Sequence, residues 1–326
     1  IVKKTYRFLI FFNICLGMKF KIVCSNLFKT LSHLHGIVDK KNSLPILSNI
    51  LIEAKDNVLT LSSTDMDISI IEKIDCNVLE DGSTTLNSQI LYDIVRKIDD
   101  NSEIEIISND GKLLTLRADG SRFSLACLPK EDFPIIDQDN SGNIIKINSK
   151  IIFKLIDKTK FAISNEETRY FLNGLYFNIT KDQSNSLLTL VGTDGHRLAK
   201  FSHNIEDSID QLSGVIIPKK TIYELCKLLS EIDKDIYISI SSNKIIFIIE
   251  NIIFISKLID GSFPDYKRVI PKDNSNILKI NRALLLSAVD RVSTIANEKS
   301  PVIKFKLLKD ILNLNTVNNE SSTASE

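Results

Sequence analysis

From residue 18 onward, apolar and polar positions follow two rhythms whose order repeats along the chain. Residues 19–23 (Lys-Phe-Lys-Ile-Val) alternate with period two and predict a strand. Leu27, Leu31, Leu34 and Val38 recur at helical spacing, with Ser25 or Asn26 as the candidate N-cap. Residues 45–54 then read as an apolar strand, Asp56-Asn57 as a turn, and residues 58–61 and 66–71 as two more strands. In the last of these, Met66, Ile68 and Ile70 are expected on one face, and Asp65, Asp67 and Ser69 on the other. The unit is strand, helix, three strands.

A second unit of the same kind follows. Residues 83–86 predict its first strand. Asn87 caps a helix carrying Ile90, Leu91, Ile94 and Val95. Strands follow at 103–107, 112–117 and 122–127, with Asn109-Asp110-Gly111 and Asp119-Gly120 as hairpin turns between them. The whole pattern then recurs: a strand at 143–147, a helix at 149–163 with Ile152, Leu155, Ile156 and Thr159 inward, and an apolar stretch at 169–177 in the place of 44–52. Residues 214–217, a helix at 219–229 and hairpin strands at 236–240, 244–249 and 252–258 repeat the second unit. Thr64-Asp65 reappears as Thr193-Asp194, and Phe133-Pro134 as Phe263-Pro264.

A third copy opens at Asn276-Ile277-Leu278-Lys279-Ile280, continues with a helix around 283–296 and strands at 301–307 and 310–314, and passes into a polar tail at 318–326. It has about half the extent of the others and lacks the second strand-helix-strand unit. A half-copy leaves an apolar helix face and a sheet edge without partners, so a weakly folded terminus is expected. The expected domains are 18–142, 143–273 and an incomplete third at 274–326. Residues 1–17 hold Lys3-Lys4 and an apolar run without a small-residue cleavage site, too short to span a bilayer. They read as translated sequence upstream of a start at Met18, with a hydrophobic anchor as the other reading.

The 326 residues are 43% hydrophobic with a formal net charge of zero, so bulk basicity does not advertise a nucleic-acid partner. Local field steers a polyanion, however, and an acidic body can hold a basic channel. Lys150, Lys154 and Lys158 share one outward helix face at i, i+4, i+8. Lys219, Lys220 and Lys227 lie on the equivalent helix, and Arg96-Lys97 ends another. Acids gather on strands and turns: Asp65, Asp67, Glu72, Asp75, Glu103 and Glu105. A charge run is ordinarily a solvated face, but recurrence on equivalent helices favours a polyanion. The five cysteines are scattered without Cys-x-x-Cys spacing, which points to a reduced, cytoplasmic protein without a structural metal.

Asp194, His196 and Arg197 invite an acid-base reading. No nucleophile, second carboxylate, phosphate-binding loop or metal spacing accompanies them, so positioning of a turn is the stronger reading.

Leu44-Pro45-Ile46-Leu47-Ser48-Asn49, Arg169-Tyr170-Phe171-Leu172-Asn173-Gly174, Thr193-Asp194-Gly195-His196-Arg197-Leu198-Ala199 and residues 263–271 (Phe-Pro-Asp-Tyr-Lys-Arg-Val-Ile-Pro) resemble the bacterial DNA sliding clamps, the β subunits of DNA polymerase III. The resemblance runs from Met18 to about Asn319; family members continue for roughly another half domain, so the chain looks C-terminally truncated. It implies an α+β fold of tandem clamp domains, each of two β-α-β-β-β units, with helices lining a central hole and sheets outside. The implied function is that of a processivity factor: a non-catalytic subunit of a DNA-directed DNA polymerase (nucleotidyltransferase) holoenzyme, without cofactor or metal. The implied partners are double-stranded DNA, bound without sequence preference, and the polymerase III alpha subunit, the clamp loader and repair polymerases, bound through short linear peptides. No membrane partner is implied.

By motif match, the implied peptide pocket holds Leu172, Thr193, Gly195, His196, Arg197 and Leu198, together with Pro264, Arg268 and Val269. The implied DNA contacts are Lys40 and Lys41 in a loop, and Tyr170, alongside the helical Lys150, Lys154, Lys158, Lys219 and Lys220. Core packing on a strand is the competing reading for Tyr170 and Phe171. Phe123 on one side, and Thr294 and Ile295 on the other, align with the contact that closes a two-subunit ring. The short third copy predicts a pocket open on one side and a mostly monomeric chain: a fragment that binds peptides without closing a ring is the alternative reading.

Overall fold

In the computed structural model, residues 17–38, 44–109, 111–139, 143–182, 185–205, 212–296, 302–317 and 323–326 are described. The chain divides into two compact units, Ile1–Phe263 and Pro264–Glu326.

The first unit opens with β1 (Met18–Val23), α1 (Cys24–His35), β2 (Asn49–Lys55), β3 (Val58–Thr64) and β4 (Ile68–Asp75). A short strand that periodicity does not show, β5 (Asn77–Glu80), pairs with β1. Next come β6 (Gly82–Asn87), α2 (Ser88–Val95), β7 (Glu103–Ser108), β8 (Leu113–Ala118) and β9 (Ser121–Leu128). The pattern then recurs as β10 (Asn143–Asn148), α3 (Ser149–Asp157), β11 (Gly174–Asp182), β12 (Asn185–Thr193) and β13 (Leu198–Ile205). It closes with β14 (Leu212–Pro218), α4 (Lys219–Ser230), β15 (Asp235–Ile240), β16 (Lys244–Ile249) and β17 (Ile252–Lys257).

Strand pairing explains why the units come in twos. β1 pairs with β7 while β6 pairs with β2, so each unit's first strand is completed by its sibling's first return strand. The later pair repeats this, β10 with β15 and β14 with β11. Helices pack as siblings too, α1 on α2 and α3 on α4. One core results, with Phe20, Leu27, Leu31, Leu91 and Ile104 buried in the earlier pair and Ile152, Leu155, Phe177, Leu225 and Phe254 in the later. Each such side chain contributes about 1.5–3 kcal/mol on burial. Antiparallel pairing of β4 with β17 joins β10 and β15–β17 to the earlier pair in one 13-stranded sheet, while β11–β14 form a separate four-stranded sheet.

Several local expectations are corrected. The first helix begins at Cys24 without a side-chain cap, ahead of Ser25 and Asn26, and Ile37 rather than Val38 completes its buried face. Residues 45–48 form a 3-10 turn, because Pro45 starts a helical turn more readily than a strand. Met66 lies in a turn at φ 79 with half its surface exposed, so β4 starts only at Ile68. Asn87 does cap α2, accepting from the Ile90 N–H at 3.0 Å, but Ile90 itself is exposed. α3 ends at Asp157; buried Thr159 turns its hydroxyl back on the Leu155 carbonyl, and a 3-10 turn follows at Lys160–Ala162. Tyr170 and Phe171 lie in a 3-10 turn, not a strand.

The second unit holds α5 (Arg282–Ser293), β18 (Lys304–Leu308), β19 (Ile311–Val317) and β20 (Thr323–Ser325), the three strands forming one sheet. Part of the polar tail is therefore strand, since β20 pairs with β19. Residues 276–280 are not a strand. In both earlier pairs the first strand is held by a sibling's return strand, and no such strand is among the described residues here. α5 buries Val292 and leaves Leu284 and Leu286 exposed. Among the described residues no helix is long and apolar enough to cross a membrane.

Candidate functional site

The turn between β12 and β13 is built by two side chains. Thr193 Oγ1 donates to the Arg197 carbonyl at 2.8 Å and accepts from the Gly195 N–H at 3.1 Å. Asp194 Oδ1 accepts the N–H groups of His196 and Arg197 at 3.0 and 2.9 Å, and its Oδ2 receives Arg197 Nε at 3.0 Å. Partial burial pushes the Asp194 pKa up, but these hydrogen bonds together outweigh it and hold the carboxyl below its ordinary value. Both oxygens are committed to the turn, and the acid-base cluster resolves into a scaffold. It leaves Gly195, His196 and Arg197 exposed at its tip, with Thr193 buried beneath and Leu198 half-buried at the start of β13.

A second segment meets this tip. A Cβ on Gly195 would lie 2.5 Å from Arg169 Nη1, so the absent side chain is what lets the guanidinium approach. Arg169 is gripped by Glu166 through two contacts, 2.7 Å at Nε and 2.6 Å at Nη2. The bond from Arg169, with the charge of its guanidinium, lowers the Glu166 pKa. Arg169 and Glu166 were not singled out by sequence reasoning, although Arg169 stands inside a quoted motif; a cation three residues before Leu172 is uninformative until the turn is placed against it. The same segment buries Leu172 and exposes Tyr170, which meets Phe171 edge-on. Phe161, also missed, exposes its ring, with the Arg197 guanidinium 5.8 Å from its centroid. An exposed ring, a cation and a rigid turn suit the docking of an apolar anchor with a polar backbone beside it.

Pro264, Arg268 and Val269 belong to the second unit. There Asp265 accepts from the Lys267 N–H and pairs with Arg268 at 2.9 Å, ordering a 3-10 turn that exposes Val269.

The helical lysines differ in what holds them. Lys150 reaches Asp233, and Lys154 lies over the Phe201 ring at 5.6 Å. Lys158 is exposed at the end of α3. Lys219 bonds Asn165 and lies over the Tyr223 ring. Lys220 is committed within the protein, to Asp65 and the Ile37 carbonyl. Lys40 and Lys41 lie outside the described residues. Of the acids on strands and turns, Glu72 is instead buried beneath α1, because it shares the face of Ile68 and Ile70 on which that helix packs. Phe123 is half-buried on β9, while Thr294 caps α5 in the second unit, with Ile295 following.

Three successive segments match the DNA polymerase III beta subunit: its N-terminal domain over residues 18–137, its central domain over 146–265 and its C-terminal domain over 267–326. The beta sliding clamp of Caulobacter vibrioides is 39% identical over 310 residues, 95% of this chain and 83% of that protein. The chain belongs to the beta sliding clamp family. The beta sliding clamp of Rickettsia felis is 38% identical over 95% of the chain and 81% of its own length, and that of Escherichia coli K12 34% identical over 95% and 83%. Among solved structures, the Bartonella birtlesii sliding clamp bound to griselimycin matches with a TM-score of 0.90 at 41% identity. A Caulobacter crescentus clamp matches at 0.91 and 39%; each covers 95% of this chain and 83% of the other. The α+β architecture is that of the sliding clamps, and the function of the chain is that of a beta sliding clamp in DNA replication.

Proposed function

We propose that the chain encircles duplex DNA as part of a ring of two subunits, catalyses no reaction, and tethers polymerases through short peptides docked beside the Thr193–Leu198 turn. Domains at 18–142, 143–273 and 274–326 would build each subunit. The observation that carries the peptide site is the exposed tip of Gly195, His196 and Arg197, pinned by Asp194 and flanked by the exposed Phe161 ring. Thr193 lies beneath it, and Leu172, Pro264, Arg268 and Val269 are assigned to it by motif. Apolar anchors of a peptide would bury against the Phe161 ring while backbone groups set direction.

DNA would be held by topology and by phosphate contacts from Lys150, Lys154, Lys158 and Lys219, with Tyr170, Lys40 and Lys41 assigned by motif. Such contacts are sequence-blind and salt-sensitive. Lys220, occupied by Asp65, would contribute field rather than a direct contact. Ring closure would use Phe123 on one subunit and Thr294 and Ile295 on the other.

The test is retention on nicked circular DNA after loading by a clamp loader. Retention on the circle and release on linearisation support encirclement. Equal release from both would overturn it and leave peptide docking as the surviving part.

A further inference from the structure

The junction between the two doubled units of the first compact unit contains a buried charge that the clamp reading does not use. At the sheet, Ile252 of β17 lies opposite Glu72 of β4, and the Lys73 N–H donates to the Asn251 carbonyl at 3.1 Å. At the helices, α4 is tied to the earlier pair along its length. Lys220, at its start, binds Asp65 and the Ile37 carbonyl. Glu224, in its middle, lies so near Gly36 that a Cβ there would be 2.3 Å from Oε2. Glu231, at its end, faces His33 of α1, with Oε2 3.7 Å from Nε2.

The other nitrogen of that ring is bound to the interior. His33 Nδ1 is 2.8 Å from Glu72 Oε2, and Thr30 Oγ1 donates to Glu72 Oε1 at 2.9 Å. The His33 side chain is only 10% exposed and that of Glu72 4%. Glu72 accepts from both neighbours, so the neutral ring must carry its proton on Nδ1. Its Nε2 lone pair then faces the Glu231 carboxylate, which is repulsive. A second proton, on Nε2, turns that repulsion into a charge-assisted contact.

We propose that His33 is a protonation-operated clasp across this junction: as imidazolium it holds Glu72 and Glu231 together, and as the neutral ring it holds Glu72 alone. Other charged groups line the cavity of about 440 Å³ at this place: Lys29 on α1, Lys73 and Asp75 on β4, and Glu250 in the β16–β17 turn, where Lys234 engages it. Burial alone pulls the His33 pKa down, but the hydrogen bond and charge of Glu72, with the charge of Glu231, outweigh it and leave the ring above 6.5. A raised folded-state value means that the clasp is fully closed below pH 6.5 and is released as pH rises through the folded value. The Lys220–Asp65 tie sits at the opposite end of α4 from His33, so release loosens one end of the helix and not the other.

The test is amide hydrogen exchange of β4 and β17 in the full chain at about pH 6 and about pH 8, corrected for intrinsic rates, with the His33 ring titrated by NMR. In the parent protein, seam protection should be several-fold greater at the lower pH, the sense that a raised His33 pKa requires. Glu231→Gln, at an exposed position, should remove most of that difference, and His33→Gln all of it. A full pH difference persisting in Glu231→Gln, or a His33 ring titrating at or below its ordinary value, would overturn the clasp. If His33→Gln does not fold, Glu231→Gln and the titration decide alone. The inference does not rest on DNA encirclement or peptide docking.

Discussion

Asp65 and Asp194, 129 positions apart, cap the same turn with the same atom. Asp65 Oδ1 accepts the N–H groups of Asp67 and Ile68 at 3.0 and 2.7 Å, as Asp194 Oδ1 accepts those of His196 and Arg197. Thr64 and Thr193 each donate to the carbonyl four residues on, and the intervening Met66 and Gly195 both take positive φ. The two copies differ at Oδ2, which meets Lys220 in the first and Arg197 in the second. Asp194→Ala should therefore cost about 1 kcal/mol in urea unfolding, the loss of a cap. Asp65→Ala should cost more, because it also strips Lys220 of its counter-charge. The Asp194 contribution is present above its ordinary value of 3.8 and is lost as pH falls through its lower folded value. Acid unfolding of Asp194→Ala should accordingly converge on the parent below that range.

His196→Ala should leave stability within about 0.5 kcal/mol, since the turn uses the residue's backbone N–H and the side chain is exposed. Peptide affinity, read by fluorescence polarisation with a labelled clamp-binding peptide, should fall in the same variant. Unchanged affinity would remove His196 from the docking surface.

Gly195→Ala and Gly120→Ala separate two reasons for a glycine. Both positions have positive φ, 88 and 77, so each substitution should cost about 1–2 kcal/mol in backbone strain. Around Gly120 a Cβ meets open space, whereas at Gly195 it would displace Arg169 from Glu166. Only Gly195→Ala should therefore also weaken peptide binding, and Arg169→Ala should reproduce that part with little loss of stability.

Lys154→Ala and Lys158→Ala should lower the salt slope of DNA binding by about 0.9 for each phosphate contact removed, with thermal stability unchanged. Lys220→Ala should behave oppositely, destabilising the fold through Asp65 while moving the slope little. Salt titrations of binding alongside melting curves distinguish the two.

The repeat of strand, helix and three strands was legible in the residues alone, as were the hairpin turns and the inward faces at Leu27, Leu31, Leu155 and Ile156. Period two and period 3.6 are properties of local geometry, so a single chain displays them without reference to its neighbours. Asn87 as a cap and Thr193-Asp194 as a turn belong to the same class, because their hydrogen bonds close within a few residues. What only the tertiary structure decided depends on atoms far apart in sequence. Glu72 passed for a surface acid on its charge, although it shares the face of Ile68 and Ile70; what buried it was α1 packing on that face, with Thr30 and His33 supplying its partners. Arg169 became part of the site only when Gly195 left room for it, and Lys220 left the free basic face only when Asp65 came within reach. Residues 276–280 have the alternation of a strand without becoming one, for a strand is completed by a partner's hydrogen bonds and not by its own sequence.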